Sequence, residues 1–153
     1  MNIEEIKLDK YYWEKLKPFL QEQHDELGMN GGPKELDIAY DSYEYMQSHH
    51  VYVGFVVEDD DGEIVGYAGF TIYQHPHYAM KRFAISDVLY IVPKYRESNP
   101  FAIFKLIRFA EKRLRFKYRV NYLQLVENSS KDLSIMMRRL NMTLSDKVYV
   151  KEL

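Results

Sequence analysis

Asp87-Val88-Leu89-Tyr90-Ile91-Val92-Pro93-Lys94-Tyr95-Arg96 carries the chain from an aliphatic β-segment through a proline into a tyrosine–arginine pair. The strand predicted here spans Phe83 to Val92, because β-branched and aromatic residues fill it and Pro93 has no N–H with which to continue a ladder. Beyond it the hydrophobic period changes from two to 3.6. Ile103, Leu106, Ile107, Ala110 and Leu114 share one face of a helix, which Ser98 or Asn99 can cap and whose first turn suits Pro100.

Upstream, Val51, Val53, Phe55 and Val57 alternate, Asp61-Gly62 offers a tight turn, and Ile64 to Tyr73 is a second β-rich run, so the pair reads as a hairpin. Residues 9 to 27 read as a helix with Asp9 as N-cap, an apolar stripe of Tyr12, Leu16, Phe19 and Leu20, a kink at Pro18 and a stop at Gly28. The stretch from Gly28 to Pro33 reads as a loop, and Asp41 to Gln47 as a short second helix. Downstream, Tyr122 to Val126 is a strand. Ser129 or Ser130 caps a helix with Leu133, Met136, Met137 and Leu140 on one face, and about Lys147 to Val150 forms a final short strand. The order predicts an α/β (α+β) fold around a mixed, mostly antiparallel sheet.

At 153 residues, with no repeat and no Pro- or Ser-rich linker, the chain is expected to form one domain, 1–153. Its 46% hydrophobic and 15% aromatic content, with fourteen tyrosines, excludes a disordered chain and predicts a ring-rich core. A formal charge of -2 gives no overall field toward nucleic acid or an anionic membrane. Absence of cysteine removes disulfides, thiolate catalysis and zinc–cysteine sites. The start lacks the basic and apolar regions of a secretory signal, and no apolar run reaches membrane-span length. The expectation is a soluble, cytoplasmic protein.

In order and spacing, residues 50 to 153 resemble the GNAT family of acyl-CoA-dependent N-acetyltransferases. Asp87 to Arg96 is similar to that family's fourth strand and its exit, and Leu106-Ile107-Arg108-Phe109-Ala110-Glu111-Lys112 to the helix that follows. Asn128, Asp132-Leu133, Arg139-Leu140-Asn141-Met142 and Tyr149-Val150-Lys151-Glu152-Leu153 are similar to the closing segments of small acetyltransferase-like proteins encoded by bacteriophages, as is His77-Tyr78 ahead of Asp87. The resemblance implies acetyl-CoA as cofactor. It implies that the fourth and fifth strands splay apart, so that backbone groups of Leu89, Tyr90, Ile91 and Val92 bind the pantetheine arm as if it were an added strand. It places Arg96, Glu97, Ser98, Asn99, Phe101 and Ala102 at the pyrophosphate, before a helix N-terminus that favours anions, with Asn128 also on the cofactor side. The chain departs from the family's Arg/Gln-x-x-Gly-x-Gly/Ala pattern: both glycines are gone, Glu97 adds a negative charge and Pro100 removes a donor, while Asn99 can adopt left-handed geometry.

Acyl transfer to an amine needs a base, a polarised carbonyl and often an acid for the leaving thiolate. Asp87 is the candidate base; its plainer role is a strand-start Asp bonding nearby backbone. Met137 stands where the family has its acidic Tyr. Tyr149 could reach the same cleft, or pack in the core. His75 and His77 have relay or metal spacing, but Pro76 between them argues for a turn and no third ligand is fixed, so no metal is expected. His49-His50 point to opposite faces of a strand. Asp59-Asp60-Asp61-Gly62 lacks the spaced acids of a calcium loop and reads as a solvated hairpin tip. Lys105, Arg108, Lys112, Arg113, Arg115, Lys117 and Arg119 could meet a CoA phosphate or an acidic partner, but read first as a solvated helix face, which disfavours nucleic acid.

Two functions follow as expectations. One is a GNAT-fold N-acetyltransferase acting on an amine of a small molecule or protein. The other is a catalytically degenerate GNAT-like phage protein that serves as a virion component or binds a host protein, in which case the host cytoplasm is its location. An exposed edge beside the final strand could pair two protomers into a homodimer.

Overall fold

β1 (Asn2–Ile6) opens the fold and lies at one edge of a five-stranded sheet of order β1-β2-β3-β4-β5. The computed structural model describes residues 1–28, 32–127 and 132–153. Ile3 and Ile6 of β1 pack into different cores on the two faces of the sheet. This strand is absent from the sequence-based expectation, because five residues holding Glu4 and Glu5 show almost no alternation of their own.

α1 (Lys10–Leu27) begins as expected at Asp9, whose carboxylate accepts the Tyr12 N–H at 3.1 Å, and it ends at Gly28. It runs through Pro18 unbroken and buries Trp13 and Leu16. α2 (Tyr40–Ser48) follows. Part of the glycine-rich stretch between them, like the two serines expected to cap the last helix, lies outside the described residues.

β2 (Tyr52–Glu58), β3 (Ile64–Gln74) and β4 (Arg82–Ile91) pair antiparallel in sequence order, and β2 also pairs antiparallel with β1. Helices cover both faces. On β2, Val53, Phe55 and Val57 face the core shared with α4 (Ala102–Phe116), while Tyr52 and Val56 face the core shared with α1 and α2. Leu106, Ala110 and Leu114, spaced four apart, are the fully buried seam of α4. At the hairpin tip, Asp59 accepts the Asp61 and Glu63 N–H groups, and Gly62 takes φ +81°, a left-handed value that suits glycine.

Several expectations need correction. Pro93 opens a short helix, α3 (Pro93–Ser98), instead of a loop. α4 starts at Ala102 with Phe101 at its N-cap and no capping side chain, because the Ser98 hydroxyl turns back to Tyr95 C=O and Asn99 donates to Ser98. Asn99 has φ −131°, so it does not take the left-handed geometry open to it. β5 (Tyr122–Gln124) is parallel to β4, and α5 (Ser134–Arg139) follows with Leu133 at its N-cap. The expected final strand at Lys147 to Val150 is not formed: residues 142–153 hold no regular element. A three-residue β5 offers too short an edge to template another strand. The mixed, mostly antiparallel α/β sheet between helices agrees with the fold read from the sequence.

Candidate active site

β3 and β4 stay in register to Gly69↔Val88 and resume at Phe70↔Ser86, so Asp87 is an extra residue, a β-bulge in β4. A bulge resets which face alternate residues take. Ala84 packs on the α4 side, whereas Val88 and Tyr90 pack on the α1 side, although all three are even-numbered. Asp87 sits at the switch and is exposed. Its partners are phenols, not backbone: Tyr43 of α2 donates to Oδ2 at 2.9 Å and Tyr52 of β2 donates to the same atom at 3.2 Å. The Tyr67 hydroxyl, from β3, lies 3.0 Å from that of Tyr52. Oδ1 receives no hydrogen bond from a described residue.

Burial is the main force raising the three phenols above their ordinary value, and the Asp87 charge adds to it, so all stay protonated as donors. Tyr52 reaches Asp87 across its neighbouring strand because Gly69 has no side chain; a Cβ there would lie 1.8 Å from the phenol oxygen. Gly54 lies against Tyr67 less tightly, with the hydroxyl 3.3 Å from an added Cβ.

β5 pairs with Phe83, Ala84 and Ile85, and among the described residues no strand pairs with the rest of β4 on that side. The parting is marked by Val126, whose N–H goes to the Ser86 hydroxyl at 2.8 Å instead of to strand backbone. Farther along, Val92 N–H donates to Val65 C=O at 2.9 Å, toward β3. Antiparallel alternation then aims the backbone groups of Tyr90 at β3 and those of Leu89 and Ile91 at the open side. Val92 is committed entirely, since its C=O also accepts the Tyr95 and Arg96 N–H groups at 3.0 and 3.1 Å. Of the four residues implied for the pantetheine arm, Leu89 and Ile91 therefore offer an edge and Tyr90 and Val92 do not. Sequence alternation cannot tell these parities apart.

A cavity of about 530 Å³ opens in front of Asp87 and Leu89. α1 contributes Trp13, Leu20 and His24 to its walls, the α1–α2 connection Leu36 and Ile38, and the end of β5 and beyond Val126, Glu127 and Leu133. The His24 Nδ1 is buried with no hydrogen-bond partner among the described residues, the Asp25 carboxylate standing 3.7 Å away.

None of the residues from Arg96 to Ala102 lines this cavity. The Arg96 guanidinium is paired with Glu26 of α1 at 2.5 Å and lies over the Tyr90 ring, whose hydroxyl also donates to Glu26 at 3.0 Å. Glu97, Ser98 and Phe101 are exposed on and after α3, and Ala102 is buried. The N–H groups of Arg96, Asn99 and Ala102 are spent on Val92, Tyr95 and Asn99 carbonyls. Asn128 lies outside the described residues. Tyr149 is 89% exposed; its neighbours Val148 and Val150 line the cavity and it does not. Met137 is half-buried on α5.

Sequence reasoning missed Tyr43, Tyr52, Tyr67 and Trp13. The available signal was a pair of glycines, Gly54 and Gly69, inside strands, where glycine marks a close approach. Elsewhere, the His75 and His77 rings sit 5.4 Å apart in a surface aromatic group, with His75 Nδ1 accepting the His77 N–H. Several cations of this basic stretch are engaged: Arg108 with Glu111 and Arg113 over Phe109 within α4, and Lys117, just past its end, with Glu5 of β1. No helix among the described residues is long and apolar enough to cross a membrane.

Solved structures share this architecture over the whole chain. A ribosomal-protein-alanine N-acetyltransferase from Brucella melitensis biovar Abortus 2308 matches with TM-score 0.71 at 15% identity, covering 100% of both chains. Glucosamine-6-phosphate N-acetyltransferase from Arabidopsis thaliana matches with TM-score 0.71 at 14% identity, covering 99% of each. A "predicted acetyltransferase with acetyl-CoA" from Clostridium acetobutylicum matches with TM-score 0.71 at 14% identity, covering 99% of this chain and 95% of that one. No family model and no curated protein matches the sequence. At these identities the likeness establishes the GNAT-type fold.

Proposed function

We propose that this chain is an acyl-CoA-dependent N-acetyltransferase and that Asp87 is its general base. The observation that carries the reading is the early parting of β5 from β4, which leaves the Leu89 and Ile91 backbone open beside the bulged Asp87. An extended pantetheine arm fits such an edge as an added strand. Acetyl-CoA, when bound, supplies an acyl thioester open to attack by a neutral amine. Asp87, oriented by Tyr43 and Tyr52 through Oδ2, has Oδ1 free to take the amine proton directly or through one water. The backbone N–H of Ile91, on the open side of β4, would polarise the thioester carbonyl. In the balance, a C–N bond forms, the C–S bond breaks, the proton moves to Asp87 and the thiolate departs. Tyr149 has no part in this scheme, because its ring does not reach the cavity lining.

The phosphate end favours a second reading. The segment that holds glycines in relatives is here α3 plus a turn, and Arg96 is already paired with Glu26. A chain that no longer binds the cofactor would act by binding a partner protein, whether or not it is encoded by a phage.

Thermal unfolding with and without acetyl-CoA separates the two. At a hundredfold its dissociation constant the cofactor adds about 2.7 kcal/mol, roughly 5–10 °C for a chain this size. No shift at millimolar acetyl-CoA would reject the transferase and leave the binding protein. The Asp87→Asn variant should keep the shift and lose acetylation; full turnover in it would remove Asp87 from the mechanism.

A further inference from the structure

We infer that the cavity beside Asp87 takes a primary ammonium carried on an apolar, preferably flat, body that bears no anionic group and few hydroxyls. The inference rests on the transferase reading for calling this ligand the acceptor. Its support lies in which polar groups of the wall remain unspent.

The carboxylates lining the cavity are Asp87 and Glu127, and no Lys or Arg lines it among the described residues. A cation is favoured there, while a carboxylate or phosphate would meet like charge with no Lys or Arg beside it. Among the neutral polar groups of the wall, the Gln23 amide and the buried His24 Nδ1 have no hydrogen-bond partner among the described residues, and the others are mostly engaged. The Trp13 indole N–H donates to Glu44 at 3.0 Å, the Ser86 hydroxyl accepts from Val126, and Glu127 Oε1 accepts the Leu133 N–H. The three phenols converge on Asp87 or on each other. A sugar entering this space would shed water from several hydroxyls and find only Gln23 and His24 open to them, a cost of about 1–3 kcal/mol for each group left unpaired. A hydrocarbon or aromatic body loses nothing, and Leu20, Leu36 and Ile38 face it.

The aromatic walls also suit a cation. The Trp13 and Tyr43 rings lie 5.7 Å apart, and those of Tyr43 and Tyr52 are edge-on at 5.0 Å, forming a run of π-systems that ends at the carboxylate. An ammonium held by Asp87 Oδ1 would sit at the end of this aromatic run, with its apolar body extending toward Trp13.

Trp13 is the single tryptophan of the chain, so its emission reports occupancy without cofactor or turnover. The probes are 2-phenylethylamine, its neutral isostere 2-phenylethanol, the carboxylated analogue phenylalanine, and glucosamine 6-phosphate. 2-Phenylethylamine is expected to change the emission saturably and to bind roughly tenfold more tightly than 2-phenylethanol. Phenylalanine and glucosamine 6-phosphate should leave the signal unchanged. Asp87→Asn should erase the preference for the amine over the alcohol. Leu36→Arg, at a partly exposed wall position that tolerates charge, should weaken the amine and admit phenylalanine. Equal binding of amine and alcohol, binding of either anionic compound by the unaltered chain, or no response to the amine overturns the inference. Amine binding without acetylation in the presence of acetyl-CoA would reject the transferase and leave the ligand class standing. Turnover of glucosamine 6-phosphate would do the reverse.

Discussion

Replacing Gly69 with alanine tests whether the tyrosine array holds Asp87 in place. The new Cβ would lie 1.8 Å from the Tyr52 hydroxyl oxygen and 2.7 Å from its Cζ, both far inside van der Waals contact. Tyr52 is 1% exposed, so its ring has no route into solvent. Either the ring retreats by more than an ångström or the β3–β4 bulge opens, and both separate the phenol from Asp87 at 3.2 Å and from Tyr67 at 3.0 Å. Overpacking costs about 1–3 kcal/mol and each of the two hydrogen bonds about 1 kcal/mol, so the variant should lose roughly 3–5 kcal/mol. Urea titration measures this as a fall in midpoint at constant slope. Adding Tyr52→Phe removes the oxygen that the Cβ strikes but leaves Cζ too close. The double mutant should therefore recover part of the loss, with a coupling of about 1–2 kcal/mol. A Gly69→Ala protein within about 0.5 kcal/mol of the parent, or additive single and double mutants, would refute the tight approach.

Leu106→Ala, at a fully buried site between α4 and the sheet, should destabilise the protein by about 2–5 kcal/mol in the same titration, and an effect below 1 kcal/mol would place α4 elsewhere. Because burial raises the Tyr43, Tyr52 and Tyr67 hydroxyls above the ordinary 10.0, the unfolded chain releases those protons first. Stability should thus be complete below about pH 10 and decline as pH climbs toward the folded values, with a shallower decline in Tyr52→Phe; superimposable curves would contradict the burial. Glu26→Gln frees Arg96 from its half-buried partner and should tighten acetyl-CoA binding about threefold to tenfold by calorimetry, whereas unchanged affinity would mean that Arg96 does not reach the phosphates.

The elements with strong periodicity were legible in the sequence, and those set by their neighbours were not. α4 repeats its apolar residues over four turns, α1 announces its start with Asp9, and the β2–β3 hairpin alternates around Asp61-Gly62. β1 exists because β2 presents an edge with matching register, from Asn2↔Glu58 to Ile6↔Gly54, and five residues cannot encode that alone. The expected strand near Lys147 fails for the complementary reason, since β5 supplies no edge long enough to receive it. α3 formed where a loop was expected because Pro93 fixes a helical φ, and the glycines that keep such a segment irregular are missing.

The site was legible at one residue and hidden at its neighbours, for a physical reason. Asp87 stands out as a carboxylate in an aliphatic strand, yet the feature that gives it access to the cavity is its place as the extra residue opposite Gly69 and Phe70, a property of pairing and not of composition. Register also decides that Leu89 and Ile91, and not Tyr90 and Val92, keep free backbone groups, because the Val92–Val65 hydrogen bond sets the parity for the segment before it. The tyrosines were lost among fourteen. Glycine inside a strand weakens it unless the room it leaves is used, and here the room at Gly54 and Gly69 is filled by the Tyr67 and Tyr52 phenols. Two glycines in paired strands, each facing a tyrosine on the next, are therefore the sequence trace of a polar array beneath the sheet surface, and the carboxylate it serves is the one on the bulge.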